Sequence, residues 1–346
     1  MNRFLLILFV SCTTVLLFLS TTKSAEVEKL SNNQVSNLTL ENVLTELGAT
    51  KYSHSMEVYD ESKAKMGKEL IINGMTRKDG NKSKRISSFF VCTDCHNLGR
   101  EFKSLESENP SERLSFSKDN SLPYLPGSTF YGIYNRTSFY NDDYVKKYGT
   151  LVTNARDTLE NAVQICAKYC SSGRYLKDWE LEAIMHYYKK NELQVKDLKL
   201  NNESLNAIQN ISDLNIKDKE SLKNELMNYH RTAYSATFIS AMDVNSRKFG
   251  EGGNVENGKL IYSKSCLHCH ANKRVTYLNL DNDRLSGKMF VKNLKNYKDK
   301  SLYQIIRYGT YAKVGRKQYM PLYTKEKMSD NQINDLVAYI KQLANK

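Results

Sequence analysis

Cys92-Thr93-Asp94-Cys95-His96 and Cys266-Leu267-His268-Cys269-His270 repeat one pattern, Cys-x-x-Cys-His, which is the attachment signature of c-type haem. The chemistry asks for this spacing because two thiols must meet the two vinyl groups of one porphyrin while the adjacent imidazole reaches the iron. From the frequencies of Cys and His in this chain, one match arises by chance on the order of 0.002 times. Two matches therefore predict two covalently bound haem c groups, held by Cys92, Cys95, Cys266 and Cys269, with His96 and His270 as proximal iron ligands. The competing reading of such cysteine pairs is a zinc site or a redox dithiol. About 170 residues separate Cys95 from Cys266, against roughly 15 to 20 between the knuckles of a small zinc module, and this favours haem.

Attachment of this kind is expected outside the cytoplasm, and the chain opens with an export signal. Arg3 supplies the positive start, residues 4–19 are almost wholly apolar, and Thr22 and Ser24 or Ala25 offer small residues for cleavage. The apolar run is short for a membrane span of about 20 residues, so a cleaved signal peptide and a periplasmic location are expected. A membrane anchor, or a lipid on Cys12, is the alternative. The formal charge is +13, and cleavage removes Arg3 and Lys23 but no acid. So basic an exported chain suits an anionic substrate, an acidic redox partner or an anionic membrane surface, or it carries a lysine coat that only keeps it soluble. Nucleic acid is not an expected partner.

About 320 mature residues suggest two domains, in agreement with two distant motifs. In the second, Val255-Glu256-Asn257-Gly258-Lys259-Leu260-Ile261-Tyr262 reads as a short helix leading into Cys266. A final helix with Ser329 or Asp330 as N-cap places Ile333, Leu336, Val337 and Ile340 on one apolar stripe. Between them Met320-Pro321 follows Arg307-Tyr308-Gly309-Thr310. This set resembles class I cytochrome c, where a glycine of the first helix lets an aromatic residue of the last cross closely. The resemblance gives those roles to Gly258 and Tyr339 and makes Met320 the distal ligand of the second iron; Met320 as a mere packing residue, or Met328 in its place, are the other readings.

The first motif lies in a copy of the same plan. Gly67-Lys68-Glu69-Leu70-Ile71 matches the opening helix, and Leu181-Glu182-Ala183-Ile184-Met185-His186-Tyr187 aligns with Ile333-Asn334-Asp335-Leu336-Val337-Ala338-Tyr339. The predicted fold is thus mainly α, with two cytochrome c-like haem domains joined by a helical connector. The expected divisions are a signal peptide at 1–25, an extension wrapping the first domain at 26–65, the haem 1 domain at 66–190, the connector at 191–250 and the haem 2 domain at 251–346. Leu222, Leu226 and Tyr229 give the connector its helical spacing. In place of Met320 the first copy has a helix expected to open at Asp157, with Glu160 completing a capping box, and to carry Cys166.

For the first iron the candidate distal ligands are Cys166, Cys170, Met185, His186 and the remote His54. Thr158-Leu159-Glu160, then Cys166, then Gly173-Arg174 before an apolar helix resembles the distal-cysteine segment of dihaem thiosulfate dehydrogenases, a family related to the SoxA subunit of sulfur oxidation. Gly67-Lys68-Glu69-Leu70-Ile71 with Thr76, then Cys92 to His96, resembles the first haem region of that family. The resemblance implies Cys166 as axial thiolate of a low-potential haem 1, Met320 on a higher-potential haem 2, and the joining of two thiosulfates into tetrathionate with release of two electrons. Cys170 has no counterpart in it.

Two functions follow. The favoured one is a periplasmic dihaem electron-transfer protein that exchanges electrons with redox partner proteins such as another cytochrome or a terminal oxidase. The alternative is an enzyme of sulfur metabolism, a thiosulfate dehydrogenase-like oxidoreductase acting on an anionic sulfur compound, with Cys166 catalytic. That function needs a cationic cleft at haem 1, and Arg136, Arg156 and Arg174 are its candidates, because the planar guanidinium grips oxyanions bidentately. A dihaem peroxidase would want an open iron position, for which the sequence offers no independent support.

Overall fold

The computed structural model describes residues 31–296, 301–310 and 319–346. The expected signal peptide, with Arg3 and Cys12, lies outside the described residues. In chain order the helices are α1 (Asn32–Asn37), α2 (Leu40–Glu46), α3 (Glu61–Asn73), α4 (Pro110–Asp119), α5 (Asp142–Tyr148), α6 (Thr150–Thr153), α7 (Leu159–Ile165), α8 (Asp178–Lys190), α9 (Asn202–Gln209), α10 (Ile216–Asn228), α11 (Val255–Ile261), α12 (Leu267–His270), α13 (Asp283–Asn293), α14 (Leu302–Tyr308) and α15 (Asp330–Ala344). A two-stranded antiparallel hairpin, β1 (Arg77–Lys78) and β2 (Asn81–Lys82), is the sheet found among the described residues. The mainly α expectation holds. No helix among the described residues is long and apolar enough to cross a membrane.

α15 starts where Ser329 and Gln332 cap each other: Ser329 Oγ accepts the Gln332 N–H at 3.2 Å, and Gln332 Oε1 accepts the Ser329 N–H at 2.9 Å. Its stripe of Ile333, Leu336, Val337 and Ile340 is at most 1% exposed, and each such side chain gains about 1.5–3 kcal/mol from burial. α15 packs on α11, which Asn254 caps by accepting the Asn257 N–H at 3.0 Å. The two backbones touch where α11 has no side chain, since a Cβ on Gly258 would stand 2.0 Å from Asp335 O and 2.8 Å from Tyr339 Cβ.

The first unit repeats this contact. Asp60 caps α3 by accepting the Ser62 and Lys63 N–H groups at 2.8 and 3.1 Å, and α3 packs on α8. A Cβ on Gly67 would stand 2.0 Å from Ala183 O. Ala183 and Asp335 are the residues paired by the sequence alignment, so the two helix crossings share one register.

Three features depart from the sequence-based expectations. α7 opens at Leu159, because Thr158 is still extended; the Asp157–Glu160 box does not form, and Thr158 makes no side-chain cap. Cys166 falls just past α7, in a wider turn over Cys166–Cys170 in which the Ser171 N–H donates to Cys166 O at 2.9 Å. The extension and the connector are also not separate: Val35, Leu40, Val43 and Leu44 share a core with Leu193, Val195, Leu222 and Leu226. Backbone bonds from Leu40 N to Leu193 O and from Val195 N to Leu38 O, 2.8 and 3.0 Å long, tie the two segments together. Finally, Leu114 of α4 and Tyr124 lie inside the core of the second unit.

A buried ionic cluster joins the units at that place. Arg113 and Glu101 are 0% and 1% exposed, and they pair through Arg113 Nη2 and Glu101 Oε1 at 2.9 Å. Lys327, just before α15, reaches Glu101 Oε2 at 2.8 Å, and its carbonyl accepts from Arg113 Nη1 at 3.1 Å. Burial by itself would raise the Glu101 carboxyl, but the Arg113 and Lys327 charges outweigh it and hold the group well below the usual carboxylate range. A carboxyl with a lowered folded-state pKa contributes stability that is complete above its unfolded pKa and is lost as pH falls through the folded one. Glu101→Gln is therefore expected to cost about 3–5 kcal/mol in denaturant unfolding at neutral pH, because it leaves buried cations uncompensated. The loss relative to the parent should shrink on acidification; a variant as stable as the parent at pH 7 would show that the cluster does not hold the units together.

Candidate functional site

Both Cys-x-x-Cys-His motifs fall on helical turns: the first opens on a turn over Cys92–Asp94, and the second starts at the end of the wide turn Tyr262–Cys266 and continues through α12. His96 Nδ1 lies 2.6 Å from Ser128 O, and His270 Nδ1 lies 2.9 Å from Leu278 O. A carbonyl can only accept, so Nδ1 carries the proton in each ring and the lone pair is on Nε2. A carbonyl holding Nδ1 in this way orients a histidine so that Nε2 can point at a metal. Burial pushes both imidazoles down, towards the neutral form a ligand needs.

The chain behind His96 is shaped to the ring. Gly127 N–H donates to Cys95 O at 2.9 Å, and a Cβ on Gly127 would lie 2.6 Å from both Cys95 O and His96 Nδ1. Phe130 stacks on the imidazole, the ring centroids 4.7 Å apart. Only glycine permits this approach.

In front of His96 lies a cavity of about 620 Å³, lined by Cys92, Cys95 and His96 and by apolar residues that include Leu70, Ile86, Phe130, Leu159 and Ile184. Two thiols, one tethered imidazole and an apolar chamber of that volume fit a covalently held porphyrin. Burial pushes the Cys92, Cys266 and Cys269 thiols up to about 12.

The candidate ligands for the first iron separate clearly. Cys166 and Cys170 both line the cavity, and neither is in a disulfide. A hydrogen bond between them pushes the Cys166 thiol up, and the same bond, with Tyr140, draws Cys170 down. His54, Met185 and His186 are not among the lining residues. His54 Nε2 is engaged with Tyr134 O at 2.7 Å, and His186 Nδ1 accepts the Asp60 N–H at 3.2 Å. His186 is buried, packed beneath the start of α3. Met185 belongs to the apolar core of the first unit, and Met328 to that of the second.

Met320 is held by its backbone, which accepts the Thr310 N–H at 2.9 Å and donates to Thr310 Oγ1 at 2.8 Å. It borders the second core, yet it also lines the first cavity, whose wall does not include Cys266, Cys269 or His270. Of the three arginines expected at a cationic cleft, only Arg136 lines the cavity. Arg156 is paired with Asp142 at 2.7 Å on the surface, and Arg174 is bound to Glu180 at 2.6 Å and to the Arg85 and Lys84 carbonyls. Two lysines line the cavity as well, Lys147 and Lys327, and no sequence pattern singles out either.

The two motifs also meet. Cys269 Sγ lies 4.0 Å from Asp94 O, and His268 faces Thr93 and Asp94. Nothing in their separation along the chain foretells this contact.

Residues 253–340 match the family model described as cytochrome c oxidase, cbb3-type, subunit III. The matched segment contains Cys266, Cys269, His270, Met320 and most of α15. No curated protein matches the chain, and no solved structure does. The chain therefore carries a c-type cytochrome domain at residues 253–340, with covalently bound haem c and electron transfer as its chemistry.

Proposed function

We propose that the chain is a dihaem c-type cytochrome that transfers electrons between redox partner proteins in the periplasm, where its N-terminal leader would direct it. The observation that carries the second haem is the repeated histidine tether, His96 to Ser128 O and His270 to Leu278 O, in two units whose helices cross in one register. Haem supplies one-electron redox chemistry at each site. The protein residues supply attachment through four cysteines, imidazoles fixed in one tautomer, and a largely apolar wall around the first site. The distal residues set the potential: a thiolate from Cys166 favours ferric iron, and a thioether from Met320 favours ferrous. Met320 remains assigned to the second iron by its resemblance to the class I pattern, although it also lines the first cavity. In a spectroelectrochemical titration the parent should give two one-electron steps. Cys95→Ala should abolish one and Cys269→Ala the other, and a parent with a single step would refute the dihaem function.

A second function, oxidation of thiosulfate or its reverse, is favoured by one feature of the first cavity, where Cys166 and Cys170 share a chamber with three cations, Arg136, Lys147 and Lys327. Under that function thiosulfate should reduce the purified holoprotein, and Cys166→Met should remove most of that reduction while raising the haem 1 potential. As a carrier alone, the parent should show no thiosulfate-dependent reduction but still accept electrons from a generic small-molecule reductant. That result, with both haems intact, would rule the enzyme out.

A further inference from the structure

We propose that Arg136 and Lys327 form a carboxylate-binding pair for the two propionates of the haem attached at Cys92 and Cys95, so that a residue of the second unit completes the first haem site. The inference rests on the dihaem function above. Both cations are buried, at 4% and 6% exposure, and both line the cavity in front of His96. They stand over one tyrosine ring, with the Arg136 guanidinium carbon 3.7 Å and the Lys327 Nζ 5.4 Å from the Tyr234 centroid.

Charge is the decisive quantity. Glu101 is shared between Arg113, which holds both of its oxygens at 3.2 and 2.9 Å, and Lys327 at 2.8 Å. Among the described residues Arg136 makes no carboxylate pair; its two terminal nitrogens donate to Thr129 O at 3.2 Å and Tyr131 O at 2.8 Å. Arg113, Arg136 and Lys327 thus carry three positive charges around the single negative charge of Glu101. A buried excess of two positive charges is costly unless anions reach it. The porphyrin brings two carboxylates, and the cavity leads to both cations. Arg suits a carboxylate because its fork donates two parallel bonds, and Lys adds a point charge. The position of Lys327 is fixed by its own backbone, whose N–H donates to Thr324 O at 3.1 Å and whose carbonyl accepts from Arg113 at 3.1 Å.

The test is resonance Raman spectroscopy of the holoprotein in the propionate bending region, together with potentiometry, on Arg136→Gln and Lys327→Gln. Each variant should shift a propionate band and lower the midpoint of the first haem, since removing a nearby positive charge disfavours reduction, while leaving the second midpoint unmoved. Arg136→Lys and Lys327→Arg, which keep the charge, should largely restore the midpoint and serve if the neutral variants fail to fold. Two haems with unmoved bands in all variants would overturn the assignment alone. A free sulfur oxyanion at the same cations would also overturn it: the bands would stay in place, and the variants would instead lose a spectral change that thiosulfate induces in the parent. A chain carrying haem only at Cys266 and Cys269 would overturn both this inference and the dihaem function.

Discussion

The close crossing of an opening helix on a closing helix, made possible twice by a missing Cβ, is the constraint on which the rest of the molecule depends. At Gly67 and at Gly258 a methyl group would sit inside a backbone carbonyl of the partner helix, and overpacking of this kind pushes elements apart at a cost of about 1–3 kcal/mol or more. Contact at this distance fixes where the opening helix points, and the attachment motif inherits its position from there. In the second unit the inheritance is direct, because α11 runs through a wide turn into Cys266. In the first unit the chain leaves α3 at Gly74, passes through the β1–β2 hairpin and returns: Ile86 N–H donates to Gly74 O at 2.8 Å, and Val91, the residue before Cys92, packs 3.3 Å from where a Cβ on Gly74 would be. An insertion is accommodated without moving the motif from the end of its helix.

With the motifs placed, backbone carbonyls do the remaining orientation. Ser128 O and Leu278 O hold Nδ1 of the two histidines, and both carbonyls come from loops rather than helices. The loop in the first unit is anchored in turn by the segment around Tyr124, which is buried in the second core and accepts a bond from Tyr323 at 3.1 Å through its carbonyl. The two units are therefore one electrostatic and packing system around Glu101, Arg113 and Lys327, and their attachment motifs meet where Cys269 approaches Asp94. Proximity of the two sites follows from packing rather than from any linker geometry.

Much of this was legible in the residues, because it is local or periodic. The Ser329 cap, the Ile333–Ile340 stripe, the Gly258–Tyr339 crossing and the pairing of Ala183 with Asp335 all follow from spacing or from alignment of the two copies. What stayed hidden depends on contacts distant in sequence. Lys327 in a basic chain reads as one more solvated lysine, and only the fold brings it to Glu101. Arg156 and Arg174 were indistinguishable from Arg136 by composition; the fold engages them with Asp142 and Glu180 and leaves Arg136 at the cavity. The shared core of extension and connector was missed because the extension shows little apolar periodicity, although Val35, Leu40, Val43 and Leu44 are all buried.

The central claim is that both units, and not only the segment at residues 253–340, carry a covalently attached porphyrin. The intact mass of the purified chain after acid unfolding tests this most directly, because thioether-linked haem survives loss of the fold while iron-bound or adsorbed groups do not. The expected mass exceeds that of the processed polypeptide by two haems, with peptides spanning Cys92–His96 and Cys266–His270 each carrying one. A mass corresponding to one haem, with the Cys92 and Cys95 thiols free to alkylating reagents, would contradict it.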